Sequence, residues 1–436
     1  MRTNIATPST HVTFEGGQAK KITPEQELRR SVMCCMLWEN QFYEDGKTIA
    51  QRISELVPKI KPETVSAIAI EAREKMKLRH VPLWLCVAML NNVAHRPLAA
   101  KTIERVIQRP DELAELLSLY WKDGKKPIAA QLRKGLAKAF VKFNEYSLAK
   151  YNRDGAIKLR DVLFLSHAKP KDEEQAQTWK KLIDNTLAIP DTWEVALSSG
   201  ADKKETWERL INENKLGGLA YLRNLRNMIT AGIDHSLMRD GLKKIKTERI
   251  LPFRFISAAK YAPRLEAELE ELMFKCLEGS PRLAGETIIL IDVSGSMSGN
   301  ISGKSDLTFL DAACGLAIIL REACSNVRVV TFSNNCCEVP GRRGFALKDA
   351  IFKSQPHGGT NLGGAVGLIN KEKFDRLIVL TDEQTNSNVP NSKMEKSYMI
   401  NVAAAKNGVG YGKWLHIDGW SEAVYDYIVQ YENGDK

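Results

Sequence analysis

No stretch of this sequence approaches the roughly 18 uninterrupted apolar residues that a membrane-spanning helix needs. The longest apolar candidates, such as Val81 to Leu90, are too short. The N-terminus also lacks the basic and then apolar pattern of a secretory signal. We therefore expect a cytoplasmic protein that does not bind a membrane.

Cys-x-x-Cys pairs are absent as well, although the chain contains eight cysteines. Most of these cysteines lie in apolar stretches, which favours buried free thiols in a reducing compartment over a zinc site. They are Cys34, Cys35, Cys86, Cys276, Cys314, Cys324, Cys336 and Cys337.

The usual sequence signatures of catalysis are also missing. There is no Gly-x-x-x-x-Gly-Lys-[Ser/Thr] loop, no dinucleotide fingerprint and no His-Glu-x-x-His pair. The Ser294-Gly295-Ser296 segment does not form a Gly-x-Ser-x-Gly elbow. These absences predict a binding protein rather than an enzyme.

What is present is an ordinary globular composition with an uneven charge. Of 436 residues, 44% are hydrophobic and 27% are charged, and this length suggests two or three domains. From Glu286 to Lys436 there are 15 Lys and Arg against 17 Asp and Glu, a balance of −2. The residues up to Gly285 hold 48 against 36, a balance of +12. The excess favours a polyanionic partner for the N-terminal part, although a merely basic soluble surface explains it equally well.

Up to about residue 280 the pattern predicts many helices and no sheet. Pro24, Pro62 and Pro110 each open a segment with apolar residues at helical spacing, and Thr192 follows Pro190 in the same way. A dozen or more helices with short connections indicate an α-solenoid of stacked antiparallel pairs. We assign residues 11–280 to this helical domain.

The pattern changes at about residue 280. Apolar, β-rich runs at 287–291, 327–332 and 376–380 alternate with helical segments. This alternation predicts a doubly wound parallel sheet with helices on both faces. We assign residues 285–436 to this second, α/β domain.

Five oxygen-bearing side chains stand at one predicted edge of that sheet. Asp292, Ser294 and Ser296 follow the first strand, Thr360 precedes a helix, and Asp382 follows another strand. Ligands gather at the carboxyl edge of open α/β sheets, and these hard oxygens suit Mg²⁺. The set resembles the metal-ion-dependent adhesion site of von Willebrand factor A domains, where the metal usually accepts a partner's carboxylate. The resemblance implies a divalent cation, with Mg²⁺ preferred, and a function in binding.

Three segments of the helical part resemble, in order, segments of the TROVE module in the Ro autoantigen family. They lie at residues 161–170, which include Leu-Ser-His, at 219–228, and at 250–254. A TROVE module followed by an A domain is also the domain order of that family. The resemblance implies a closed ring of HEAT-like helix pairs, with the A domain completing or adjoining it.

The same resemblance implies an RNA-binding scaffold, which we expect to be monomeric. Family members bind small structured Y RNAs on a basic outer surface and take single-stranded 3′ ends of structured or misfolded RNA into the central hole. Bacterial relatives work beside exoribonucleases in RNA processing and quality control. An exoribonuclease, or another protein bound through the metal, is therefore a second expected partner.

The candidate RNA-binding residues are basic, with one histidine. Lys134, Lys138 and Lys142 form one helical stripe, which suits a phosphate backbone but is also the pattern of a solvated helix face. His167 is either a core residue or a support of the RNA-binding loop. Arg223 and Arg226 either line the hole or make ion pairs between helices. The full set is Arg133, Lys134, Lys138, Lys142, Lys150, Arg153, Arg160, His167, Lys169, Arg223 and Arg226.

Two other functions compete with the RNA-binding scaffold. In the first, the chain is a protein–protein adaptor that docks an acidic partner through the metal. In the second, more remote one, it is a metal-dependent hydrolase. One Asp with two Ser around a single metal does not form the carboxylate cluster of two-metal nucleases, which argues against the hydrolase.

Overall fold

The computed structural model describes residues 12–34, 45–198, 200, 202–247, 250, 253–278, 281–421 and 423–433. They form two compact units. The helical unit comprises Ala50–Arg249 and Ala258–Leu269, and the sheet unit comprises the residues up to Ile49, Ile250–Ser257 and the residues from Glu270 onward. The predicted domain limits, 11–280 and 285–436, stay a prediction, and the compact units divide the chain differently because the N-terminal residues group with the sheet.

Helices follow one another from residue 24 to residue 275. They are α1 (Pro24–Met33), α2 (Gly46–Leu56), α3 (Pro62–Glu74), α4 (His80–Asn91), α5 (Arg96–Val106), α6 (Asp111–Tyr120), α7 (Ala130–Phe140), α8 (Glu145–Tyr151), α9 (Leu159–Ser166), α10 (Glu173–Ile183), α11 (Trp193–Ser198), α12 (Lys203–Asn212), α13 (Gly218–Thr230), α14 (His235–Lys244), α15 (Phe253–Tyr261) and α16 (Glu266–Lys275).

The helix starts follow the sequence signals. Prolines occupy the first turn of α1 and α3, as predicted, and Pro110 directly precedes α6. Thr23 precedes α1 and forms a capping box with Gln26. Its hydroxyl accepts from the backbone N–H of Gln26 at 3.2 Å, and the Gln26 side chain accepts from the Thr23 N–H at 2.9 Å. Such caps pair N–H groups that the helix itself leaves without partners.

Packing within the helical unit joins helices that are close in sequence. α5 packs on α3, α4 and α7, and α7 also packs on α9. Gly135 permits the close approach of α7 to α5, since a Cβ there would lie 2.8 Å from the Ile103 side chain. Leu132, Leu136 and Phe140 are fully buried, and each contributes about 1.5–3 kcal/mol of hydrophobic stabilisation.

The C-terminal part alternates strands and helices. The strands are β1 (Leu283–Asp292), β2 (Cys324–Phe332), β3 (Cys336–Val339), β4 (Arg376–Thr381), β5 (Lys396–Asn401) and β6 (Leu415–Asp418). The helices are α17 (Phe309–Ala323), α18 (Gly344–Phe352), α19 (Leu362–Ile369) and α20 (Ala423–Glu432).

The six strands form one sheet in the order β3-β2-β1-β4-β5-β6. All neighbours are parallel except β2 and β3. α17 packs against β1, β2 and β4, whereas α19 joins a core cluster with Ile288, Leu290 and Val379. The predicted helical region followed by a doubly wound sheet is confirmed, while the closed ring stays a prediction. The antiparallel edge strand β3 was not predicted, because its four residues are too few to show a pattern.

Two further expectations concern cysteines and membranes. The cysteines that the structure describes are free thiols, and Cys35 lies outside the described residues. Four of them are buried, as expected, whereas Cys276, Cys336 and Cys337 are half-buried. Among the helices of the described chain, none has the length and apolar character needed to cross a bilayer.

Candidate functional site

The oxygen side chains predicted to bind a metal lie at the carboxyl edge of the sheet. Asp292 ends β1, and Asp382 follows β4, the neighbouring parallel strand. The Ser296 hydroxyl donates to Asp382 Oδ2 at 2.7 Å and lies 3.2 Å from the hydroxyl of Ser294. The Asp292 carboxylate accepts from the hydroxyl of Thr381 at 2.7 Å. The structure therefore brings both predicted carboxylates and both predicted serines together.

Thr360 is held beside these groups by its backbone. The hydroxyl of Thr385, three residues beyond Asp382, donates to the Thr360 carbonyl at 2.7 Å. The N–H of Gly295 donates to the carbonyl of Gly358 at 2.9 Å, which ties the loop before Thr360 to the serine loop. Thr360 is 2% exposed. The loops after β1 and β4 and the loop before α19 therefore meet at one point.

Burial makes negative charge at this edge of the sheet costly in free energy. Asp292 and Asp382 are both fully buried. Burial and the charge of Asp382 together raise the pKa of Asp292 to about 7. Two carboxylates so close in a dry site repel each other, and a divalent cation would relieve that repulsion.

These residues fit a small hard cation. Two carboxylates and the hydroxyls of Ser294, Ser296 and Thr360 would hold Mg²⁺, which prefers oxygen ligands and keeps several waters. No cluster of three or more His, Cys, Asp or Glu side chains suited to a metal occurs in the described part of the chain. A cation at this edge would therefore need hydroxyl ligands as well as carboxylates.

A second candidate site is a cleft of about 560 Å³ between α7 and α9. Arg133 and Lys134 are exposed on the first turns of α7, and His167 is exposed at the end of α9. The cleft lining consists of Ala130, Gln131, Arg133, Lys134, Ser166 and His167. Three of the predicted RNA-binding residues therefore lie around one cavity.

The local backbone explains how these side chains reach the cleft. His167 adopts a left-handed conformation, with φ of +53°, which ends α9 and turns the chain outward. The His167 side chain is exposed, so His167 is not a core residue. No side chain caps the start of α7, where Ala129 is the N-cap residue. The N–H groups at the start of α7 thus add partial positive charge to the cleft.

The predicted lysine stripe is only partly realised. α7 ends at Phe140, so Lys142 lies in the following turn and not on the helix, because Asn144 already caps the start of α8. The ammonium of Lys142 donates to the carbonyls of Glu104 and Ile107, at the end of α5. Lys138 pairs with Glu104 at 3.2 Å. Of the three lysines, Lys134 alone lines the cleft.

The other predicted basic residues differ in their surroundings. Lys150 is half-buried and lies 3.7 Å from Glu194, which reduces its availability. Arg226 stacks over the ring of Tyr261, with its guanidinium carbon 5.0 Å from the ring centre. The others, all exposed, are Arg153, Arg160, Lys169 and Arg223.

Sequence reasoning missed a group of lysines and aromatic rings after α6. Lys125 lies 5.8 Å from the centre of the Trp121 ring, and Lys126 lies 4.3 Å from that of Tyr120. Lys122 is exposed in the same loop, which leads directly into α7. The signal was the run Tyr-Trp-Lys-Asp-Gly-Lys-Lys-Pro, in which basic and aromatic residues interleave.

Two exposed apolar residues directly precede the cleft residues Ser166 and His167 in the chain. The Phe164 side chain is 56% exposed and that of Leu165 is 37% exposed, although both lie in the segment that resembles the TROVE module. An exposed aromatic ring beside basic groups is a surface on which an unpaired base can stack.

Comparison with known proteins identifies the family. The TROVE domain model matches residues 15–186 and 185–278, and the Ro60 vWA domain model matches residues 286–398. The solved structure of the Deinococcus radiodurans RO (RSR) protein superposes with a TM-score of 0.60 at 18% identity, and the match covers 95% of this chain and 100% of that one. At this identity the structural likeness shows the fold alone.

The curated relatives that match are longer proteins. The Rattus norvegicus telomerase protein component 1 is 26% identical, over 51% of this chain and 12% of its own length. The Caenorhabditis elegans RNA-binding protein RO60 is 25% identical, over 43% of this chain and 33% of its own length. This chain therefore spans a third or less of these relatives. Since the TROVE model matches more than half of the residues, the chain belongs to the TROVE domain family.

Proposed function

We propose that this chain is an RNA-binding scaffold of the Ro type. The observation that carries the proposal is the cleft between α7 and α9, which gathers Arg133, Lys134 and His167 at an uncapped helix start. Cationic side chains and helix N–H groups bind phosphates, and this electrostatic attraction supplies most of the sequence-independent affinity for nucleic acids. The name of the nematode relative, an RNA-binding protein, supports the same function.

The RNA that best suits these surfaces has a structured part and a single-stranded 3′ end. The cleft offers cations for the backbone, while Phe164 and the lysine-aromatic loop offer rings and ammonium groups for an unpaired strand. From the family resemblance we extend the proposal to small Y-like RNAs, to RNA quality control or processing, and to a cytoplasmic monomer.

Charge reversal tests the cleft. Arg133→Glu with Lys134→Glu should weaken binding of a fluorescent hairpin RNA with a 3′ tail by at least about tenfold, because two phosphate contacts become repulsive. Lys371→Glu with Lys373→Glu is the matched control, since these lysines are exposed on the sheet unit and the net charge changes equally. Equal effects of the two double variants on the dissociation constant would contradict a specific role of the cleft.

For the sheet unit we propose a cation site that docks an acidic group of a partner protein. The buried carboxylate pair at Asp292 and Asp382 supports this, because it calls for a counter-charge. The cation would supply positive charge and an open position for a carboxylate oxygen. We propose no catalytic step.

Asp292→Ala separates the two proposals. The variant should lose Mg²⁺ binding in titration calorimetry while its RNA dissociation constant stays unchanged. RNA binding that is lost together with the cation would contradict the assignment of RNA to the helical unit. Partner capture that is sensitive to EDTA and resistant to ribonuclease would instead favour the adaptor function.

A further inference from the structure

The first described residues of the chain fasten to the loops beside the proposed cation site. We call residues 12–34 the N-terminal strap. The Thr13 hydroxyl donates to the Thr385 carbonyl at 2.6 Å, and the Lys20 N–H donates to the Gly408 carbonyl at 3.0 Å. A Cβ at Gly17 would lie 2.2 Å from the carbonyl oxygen of Thr385, so the backbones touch. The strap thus lies along the loop that follows Asp382.

One chain of hydrogen bonds runs from the strap to Asp382 itself. The backbone N–H of Phe14 donates to Gln384 Oε1 at 2.7 Å. The backbone N–H of Gln384 donates to Asp382 Oδ1 at 3.0 Å, and its side-chain amide donates to the Asp382 carbonyl at 3.0 Å. A single residue, Gln384, therefore contacts both the strap and the proposed cation ligand.

Arg30, on α1 of the strap, packs against the loops that follow the strands of the sheet unit. Its side chain is fully buried, and its Nη1 lies 3.1 Å from Glu383 Oε1. The same guanidinium donates to the carbonyls of Ala405 at 2.9 Å and Asn407 at 3.0 Å. A buried arginine with an ionic partner and two carbonyl acceptors is held in one orientation.

Glu383, the partner of Arg30, directly follows Asp382 and has an unusual backbone. Its φ is +60°, a left-handed conformation that glutamate rarely adopts. Its carboxylate accepts from the backbone N–H groups of Val409 at 2.7 Å and Gly410 at 2.8 Å and contacts the His416 ring, in addition to the contact with Arg30. Without these partners the left-handed turn would relax, and the chain would leave Asp382 in another direction.

We propose that docking of the N-terminal strap positions Asp382 for the cation, through Arg30 on Glu383 and through Phe14 on Gln384. This inference rests on the proposed cation site and states what regulates its affinity for the cation. Because binding free energies are reciprocal, a cation that favours the docked strap must itself be bound more tightly when the strap is docked. Arg30 and Gln384 are positioning residues, since neither is a proposed ligand.

The first arm of the test measures Mn²⁺ affinity of the full chain by electron paramagnetic resonance of the free ion. Arg30→Gln should weaken Mn²⁺ binding by about 10–100-fold, the range seen when a group that orients a metal ligand is removed. Arg376→Gln is the matched control, because Arg376 is fully buried and paired with Glu432 but stands at the opposite end of β4. The control should bind Mn²⁺ like the wild type.

The second arm uses the wild type and needs no variant. Hydrogen exchange of the strap amides should slow when Mn²⁺ is added, and exchange in α3 should not change.

Should Arg30→Gln fail to fold, Thr13→Val replaces it in the Mn²⁺ affinity measurement, because it removes the strap's hydrogen bond to Thr385 and leaves the buried charges intact. A smaller loss of Mn²⁺ affinity is then expected.

The outcomes separate the two proposals. Mn²⁺ binding by the wild type with unchanged affinity in Arg30→Gln, or in Thr13→Val where that variant is used, would overturn the positioning role alone. Unchanged exchange of the strap on adding Mn²⁺ would overturn the linkage. A wild-type chain that binds no Mn²⁺ would overturn the cation site together with this inference.

Discussion

The helical unit and the sheet unit place their functional charges in opposite environments. Arg133, Lys134 and His167 stand exposed around an open cleft. Asp292 and Asp382 are fully buried at the edge of the sheet. Exposed charges suit a large polyanion, which needs many contacts that form without much desolvation. Buried charges suit a small cation, whose field is strong in a dry site.

Both units also contain a buried arginine–glutamate pair, but the pairs do different work. Arg73 Nη2 lies 2.6 Å from Glu112 Oε1 and joins α3 to α6 within the helical unit. Arg30 lies 3.1 Å from Glu383 beside the proposed cation ligand. Neither residue of the first pair lines the cleft, and we assign that pair to folding and the second to positioning.

The largest expected effect comes from breaking the Arg73–Glu112 pair of the helical unit. Glu112 also accepts from the backbone N–H groups of Gln108 at 2.7 Å and Arg109 at 3.1 Å. Glu112→Ala removes the acceptor of these two N–H groups and leaves the buried Arg73 guanidinium without its carboxylate, so unfolding of the helical unit should become easier by about 3–5 kcal/mol. Urea denaturation followed by circular dichroism measures this change.

Glu63→Ala is the control for that measurement, because Glu63 is an exposed acid on the first turn of α3. Its effect should stay within about 0.5 kcal/mol. If both variants unfold at the same urea concentration, the buried pair is not a stabilising element of the helical unit.

The sequence was sufficient for the elements whose pattern is local. The prolines that start α1 and α3, and the apolar runs of β1 and β4, appear in the chain as periodicity and helix-start signals. The Asp-x-Ser-x-Ser spacing likewise indicated the loop after β1. Parallel strand order then brought Asp382 to Asp292, because β1 and β4 are neighbours in the sheet.

Contacts between distant residues were beyond sequence reasoning. Nothing in the sequence around Arg30 indicates that it is buried against Glu383, more than 350 residues later. Lys142 has the spacing of a phosphate-binding stripe, yet it donates to the end of α5, because α7 ends two residues earlier. Periodicity predicts which residues share a face, and tertiary packing decides what that face contacts.

A smaller effect concerns pH and the ionic cluster of the sheet unit. Burial lowers the pKa of His416, but the charges of Glu383 and Asp418 outweigh it and raise that pKa to about 9. The protonated ring therefore stabilises the sheet unit fully below about pH 6.5, and that stabilisation is lost as the pH rises through about 9.

Thermal unfolding between pH 7 and pH 10 measures this loss. The melting temperature of the sheet unit should fall by several degrees in the wild type, at about 2–4 °C per kcal/mol. His416→Gln should flatten that fall, because the neutral amide has no proton to lose in this range. A fall of equal size in both proteins would assign the pH dependence to other groups.

The smallest expected effect distinguishes two lysines of the predicted stripe. Lys134 lines the cleft, whereas the Lys142 ammonium donates to the Glu104 and Ile107 carbonyls and has its pKa lowered by burial. Lys134→Met should reduce the slope of log binding constant against log salt by about 0.7, the value for one single-strand phosphate contact. Lys142→Met should leave the slope unchanged, because an ammonium held on helix carbonyls neutralises no phosphate. Fluorescence anisotropy with the tailed hairpin RNA at several salt concentrations measures both slopes. Equal reductions would show that Lys142 leaves α5 when RNA binds, which would extend the phosphate-binding surface beyond the cleft.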